Sequence, residues 1–234
     1  MITKLLLPAV LAFFTVAASA DLILESKVES PQMNSNVVTK IKSGKVRADL
    51  NGPLGAMSSI IDSVSGDSVQ LIHGQKMAMK TSAAQMKQAI EMSKQAAGAA
   101  PQTNAPPVKP QATGQKEKVG EYECEIYTWT GGGVTSRYWI ALKHPQAALL
   151  KSAEKEMRSG ALGLAMGSGP DMADLPGPAL KTEMNVANMK TVSTIVSVKE
   201  TPVDAADFEV PKDYQMMDMS KIPGAGGPAT PAPK

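Results

Sequence analysis

The sequence is short of nearly everything that marks a common chemistry. It has one cysteine, two histidines and nine aromatic residues in 234 positions. A single thiol excludes a disulfide framework and every multi-cysteine zinc or iron–sulfur site. Lys and Arg number 24 against 22 Asp and Glu, a formal charge of +2, and no basic run gathers them. A nucleic-acid binder needs clustered cations to displace phosphate counterions, so that class is excluded too. Beyond the first twenty residues no stretch of 18 apolar residues occurs, so nothing there has the length of a membrane-spanning helix.

What is present begins with an address. Met1 to Lys4 form a short positive segment, Leu5 to Ala17 an apolar one, and Ala18-Ser19-Ala20 a small-residue cleavage site. That order is the pattern of a secretory signal peptide, with cleavage expected after Ala20. About 13 apolar residues are too few to anchor the chain across a bilayer. No Cys follows the site to take a lipid, so the expected product is a free periplasmic protein. Once residues 1–20 are removed, 14 Met stand against 12 Leu and one Phe. Methionine must then supply an unusual share of the core.

Periodicity orders the rest. From Asp21 to Thr81 apolar residues alternate with polar ones, and Gly44, Asn51-Gly52-Pro53, Ser65-Gly66-Asp67 and Gly74 punctuate the runs. This predicts an antiparallel meander of about six strands. Ser82 to Ala97 turns helical, with Ser82 and Gln85 spaced as a capping box and a thin apolar face of Ala83, Met86, Ile90 and Ala97. The Pro-rich stretch 98–118 reads as a linker. Glu121 to Lys143 reads as a hairpin closed by Gly131-Gly132-Gly133, with Thr130 opposite Val134. That register sets Cys124 against Ile140, Ile126 against Tyr138, and Glu121 against Lys143. A second helix is expected from Pro145 to about Gly160 or Met166, striped by Leu150, Ala153, Met157, Ala161 and Leu164. Strands follow from Leu180 to Val186, from Val192 to Val198 and from Asp207 to Val210, and residues 221–234 read as a disordered tail. The predicted fold is a single α+β domain over 21–220. Its strongly curved antiparallel sheet, or unclosed β-barrel, carries two helices over the concave side.

Few residues offer chemistry. Gly167-Ser168-Gly169 lacks the spacing of a nucleophile elbow, and no H-E-x-x-H or phosphate-cradling loop occurs. Glu121, Glu123 and Glu125 alternate as a solvated strand face would. Cys124 reads as a buried inert thiol, and His73 and His144 as surface or capping histidines. No cofactor or metal site is expected from these groups, and the chain is not expected to be an enzyme. The methionines admit three readings: core filler, the wall of an adaptable apolar cavity, or thioether ligands for copper(I). Candidate cavity residues are Met57, Met77, Met79, Met86, Ile90, Met157 and Met184.

Several segments together carry a resemblance. Gly44-Lys45-Val46-Arg47, Ile60-Ile61-Asp62, His73-Gly74-Gln75-Lys76-Met77, Tyr122 to Tyr127 with Tyr138-Trp139, and Phe208 to Tyr214 resemble an exported bacterial family, the domain of unknown function 4412. That family is in turn similar in layout to periplasmic lipoprotein-sorting carriers of the LolA/LolB type. The resemblance implies an unclosed barrel, a helical lid and an apolar cavity for acyl chains. In those carriers an arginine on an early strand bonds to the lid, and Arg47 is its counterpart by position, although alternation with Lys45 and Asp49 favours an exposed face. The chain departs from them in opening directly in a strand and in its few aromatics. The expected function is a non-catalytic carrier for a lipid acyl chain, a lipoprotein or another apolar ligand. The alternatives are an envelope module that reaches a protein partner through its Pro-rich segments, or a copper(I) binder.

Overall fold

The structure, a computed structural model, describes residues 21–52, 55–96, 108–131, 133–158, 169–186 and 189–218. The alternating first quarter forms six strands: β1 (Leu22–Ser30), β2 (Met33–Lys42), β3 (Lys45–Gly52), β4 (Gly55–Asp62), β5 (Ser68–Ile72) and β6 (Met77–Thr81). Each runs antiparallel to the next. The tight turn between β2 and β3 places Gly44 at φ +77°, in the left-handed region that glycine enters without strain.

Helix α1 (Ala83–Ala96) begins with the capping box that the sequence spells out. The Gln85 N–H donates to Ser82 Oγ at 3.2 Å, and the Ser82 N–H donates to Gln85 Oε1 at 2.8 Å. None of its described side chains is buried.

The linker expected over 98–118 stops short: residues 111–119 form strand β7 (Gln111–Val119), while 98–107 lie outside the described residues. Eight of the nine β7 residues are exposed. An edge strand with both faces wet carries no hydrophobic period, which is why alternation does not reveal it.

The hairpin is formed by β8 (Tyr122–Gly131) and β9 (Val134–Ile140), and its register differs from the predicted one by a single residue. Gly131 joins the ladder opposite Val134, Ile126 opposes Trp139, and Glu125 rather than Cys124 opposes Ile140. The expected pairing fails because β9 has no single apolar face. Tyr138 and Ile140 belong to one buried cluster and Trp139 to another, so alternation cannot distinguish the two registers.

Helix α2 (Ala147–Arg158) starts two residues after Pro145. It is followed by β10 (Ala179–Val186), β11 (Met189–Glu200) and β12 (Gln215–Asp218). The strand expected over 207–210 is instead a 3-10 turn, Ala205–Phe208, because Asp204 caps it by accepting from the Ala206 N–H at 3.0 Å. The twelve strands form one unclosed sheet in the order β12-β6-β5-β4-β3-β2-β1-β11-β10-β9-β8-β7, antiparallel throughout except for β12 beside β6. The long pairing of β1 with β11 joins its two halves.

Two coverings protect the sheet. Leu150 and Ala153 of α2 pack with Leu22, Leu24, Ile41 and Val46. On the other side, Val203, Phe208, Val210 and Tyr214 of the segment after β11 pack on Ile60, Leu71 and Ala78. Adjacent residues of β3 show the division: Val46 sits in the α2 cluster, and Arg47 donates to Asp207 O of the C-terminal segment at 2.6 Å.

Candidate functional site

Beneath α2 the packing is incomplete. A cavity of about 300 Å³ lies between the helix and the sheet. From α2 it is lined by Leu150, Glu154, Met157 and Arg158, which the helical period puts on one stripe. Strands β1 and β2 contribute Leu24, Val28 and Val37, and β10 and β11 contribute Leu180, Met184 and Ile195. Tyr138 and Met172 complete the wall. The sheet side chains of one alternation and the α2 stripe face each other across this space.

Of the predicted cavity residues, Met157 and Met184 line this space. Met57, Met77 and Met79 stand half-buried on β4 and β6, away from it, and Met86 is half-buried on α1. The side chain of Ile90 lies outside the described residues. Ala78, between Met77 and Met79, is the fully buried residue of β6, so the core side of that strand is the opposite of the one expected. Met172, Glu154 and Arg158 escape a sequence reading. Met172 sits in a 3-10 turn with no period, and an acid and a base four apart look like any solvated helix pair.

The charged groups of the cavity are Glu154 and Arg158. Burial pushes the Glu154 carboxyl up to about 7, against the pull of the Arg158 and Lys151 charges. The Arg158 guanidinium makes one long hydrogen bond among the described residues, to Pro170 O at 3.4 Å. Burial also raises Tyr138, whose hydroxyl interacts with Ser136.

A second polar cluster lies on the opposite side. Ser58, 1% exposed, donates to Asp49 Oδ1 at 2.5 Å. Its single proton is thereby used, so the 2.6 Å contact with His73 Nε2 has the imidazole N–H donating to Ser58 Oγ. His73 Nδ1 is then the acceptor for the Tyr214 hydroxyl at 2.6 Å. Arg47 closes the cluster, donating to Asp49 Oδ1 at 2.7 Å and to Ser58 Oγ at 3.2 Å. A nucleophilic serine gives its proton to the imidazole; Ser58 gives it to a carboxylate and is sealed from solvent. The cluster is a structural clasp that ties the C-terminal segment to the sheet. The lid contact expected for Arg47 is not among its described hydrogen bonds, which include one to the 205–208 turn. His73 is likewise a half-buried link between Ser58 and Tyr214.

The remaining candidates, His144 and Cys124, sit in packed surroundings. His144 is buried, packs at a 45° tilt against Tyr122 with ring centres 4.3 Å apart, and accepts the Gln146 N–H at the entry to α2. Cys124 is buried, and desolvation holds its thiol above the usual range. Among the described residues no group of three or more His, Cys, Asp or Glu is placed to hold a metal ion. No described helix is long and apolar enough to cross a membrane.

Comparison with known proteins supports the fold. An uncharacterized conserved protein from Thermus thermophilus is similar over 86% of this chain and 91% of its own, with a TM-score of 0.52 and 10% identity. The Mycobacterium tuberculosis lipoprotein LppX aligns over 79% of this chain and 88% of its own, with a TM-score of 0.41 and 8% identity. PNGF-II aligns with a TM-score of 0.40 and 12% identity over 85% of this chain, which spans 31% of that one. No curated protein sequence matches. The family model for a domain of unknown function, DUF4412, matches residues 23–214, almost the whole of the described structure, and the chain belongs to that family.

Proposed function

We propose that the protein is an exported, non-catalytic carrier that holds one apolar chain in the cavity between α2 and the sheet. The observation that carries this reading is the cavity itself, apolar on most of its wall and bordered by Met157, Met172 and Met184. Unbranched, polarizable thioethers adapt to a ligand whose shape varies, as branched aliphatic side chains do not. The signal-peptide pattern of residues 1–20 supports export, and the periplasm is the compartment this reading assigns.

Volume limits the cargo. At about 30 Å³ for a water-sized group, 300 Å³ holds on the order of ten methylenes. Their burial contributes about 0.8 kcal/mol each, which is comparable with the cost of association. One short chain is therefore the natural load, and the several long chains of a lipoprotein anchor exceed it. Native mass spectrometry of protein purified without detergent tests the reading. We expect one bound amphiphile per chain, or uptake of decanoic acid or 1-decanol when either is added. Bare protein mass with no uptake of either would overturn it.

A second reading has its own observation. Strand β7 is long and exposed, and among the described residues it pairs only with β8, so an extended segment of a partner could add to it. Under that reading a proline at Lys116 or Lys118 abolishes capture of a specific envelope protein by crosslinking in cells.

A further inference from the structure

The polar end of the cavity is incomplete in a particular way. Glu154 and Arg158 are one turn apart on α2 and both face the cavity. That spacing ordinarily closes an ion pair. Here no hydrogen bond joins them, and Arg158 acts on Glu154 through charge alone. Among the described residues charge and burial, not a hydrogen bond, act on Glu154, and Arg158 makes only the long hydrogen bond to Pro170 O. A guanidinium offers five N–H donors in a planar fork, and most of them find no partner among the described residues. A half-buried acid and a half-buried cation therefore stand together at the border of a largely apolar space, where a ligand's polar end would meet both.

From this we infer that the natural cargo is a single-chain amphiphile ending in a carboxylate, seated against the Arg158 guanidinium and the Glu154 carboxyl at the polar end of the cavity. This inference rests on the carrier reading above. The ligand carboxylate accepts from Arg158 N–H groups, a charge-assisted contact, and from the Glu154 O–H. The assembly of one cation, one anion and one neutral acid carries no net charge, so it can be buried without a lone ion. An alcohol or a methyl ester leaves Arg158 uncompensated. A second carboxylate is tolerated beside Glu154 only while Glu154 keeps its proton, because two anions sharing one site repel. The remaining groups facing the pair are Lys151 on α2, which favours the anion, and the Tyr138 hydroxyl on β9, which burial keeps neutral. The other cavity-facing polar residues, Ser26, Thr39, Thr182 and Ser193, do not titrate.

The test titrates decanoic acid and 1-decanol into the full-length protein by calorimetry from pH 6 to pH 9. Decanoate is expected to bind at least about tenfold more tightly than decanol at pH 6, the value of one charge-assisted contact. Its affinity should fall by about tenfold per pH unit above pH 7, while that of decanol stays constant. Glu154→Gln, which keeps an N–H donor, should flatten the decanoate profile. Arg158→Met should remove the preference for the acid and leave decanol binding in place, which also shows that the variant's cavity is intact. Equal binding of acid and alcohol by the wild type would overturn the headgroup inference while leaving the carrier reading standing. A decanoate affinity that is flat with pH would overturn the role of the Glu154 proton. Failure of both ligands to bind would overturn the inference together with the carrier reading.

Discussion

The two sides of the sheet solve the same problem in opposite ways. The C-terminal segment covers β3 to β6 with Phe208 and Val203 in a filled cluster, and the Arg47, Asp49, Ser58, His73 and Tyr214 side chains satisfy one another link by link. Helix α2 covers β1, β2, β10 and β11 but leaves a cavity with an acid that nothing hydrogen-bonds among the described residues. Packing to full density and complete polar pairing are the ordinary state of a protein interior. The larger buried cluster lies on the α2 side, yet that side is also where the molecule tolerates incompleteness, whereas the smaller C-terminal cluster is filled. The carrier function proposed above is placed where that tolerance is.

The contrast can be broken from either side. The largest effect should come from Phe208→Ala: removing a buried aromatic ring costs about 3–5 kcal/mol. Urea denaturation should show the lower midpoint, and ligand uptake by the folded fraction should be unchanged. Ser58→Ala comes next. It leaves Asp49 short of a donor and His73 Nε2–H without an acceptor, a loss of about 1–3 kcal/mol, measured by the same denaturation. Equal losses from cavity-wall and clasp substitutions would erase the distinction between the two sides.

The third prediction sharpens the comparison through pH. The Glu154 carboxyl rises to about 7 on folding from an ordinary 4.5. Between those values the native state keeps a proton that the unfolded chain releases, so the contribution is fully present below pH 4.5 and is lost as pH rises to 7. Glu154→Gln should remove this slope. The variant should gain about 1–3 kcal/mol over the wild type at pH 8 and little at pH 4.5, read as the difference between paired denaturation curves. A difference that does not vary with pH would mean that Glu154 is solvated like a surface acid.

How much of this can be read from the sequence follows from which physics is local. The six-strand meander and the Ser82–Gln85 capping box depend on residues a few positions apart, and both are present as expected. The hairpin register is illegible because Tyr138, Trp139 and Ile140 are all buried and give no alternation to choose between slips. Strand β7 is hidden by its exposure, and β12 by its four-residue length. The clasp needs Tyr214 to meet His73 across 141 positions, and no period or motif records such a meeting. At the cavity, the α2 stripe points to Met157, and alternation on β10 points to Met184. Glu154 stays hidden because only the sheet it faces distinguishes a stranded carboxyl from a solvated one.

The β1–β11 pairing carries a consequence for the order of events during folding. Leu22 lies opposite Glu200, so the first strand of the meander finds its outer neighbour only after nearly the whole chain is available. Loop closure over such a distance is slow, and contacts of this kind dominate the folding time of β proteins. The meander must wait with one long edge of β1 uncovered, the situation in which strands pair with the wrong chain. A polypeptide that crosses a membrane unfolded would meet this delay on the far side, where the acidic and basic residues of β1, Glu25, Lys27 and Glu29, guard the waiting edge against its neighbours.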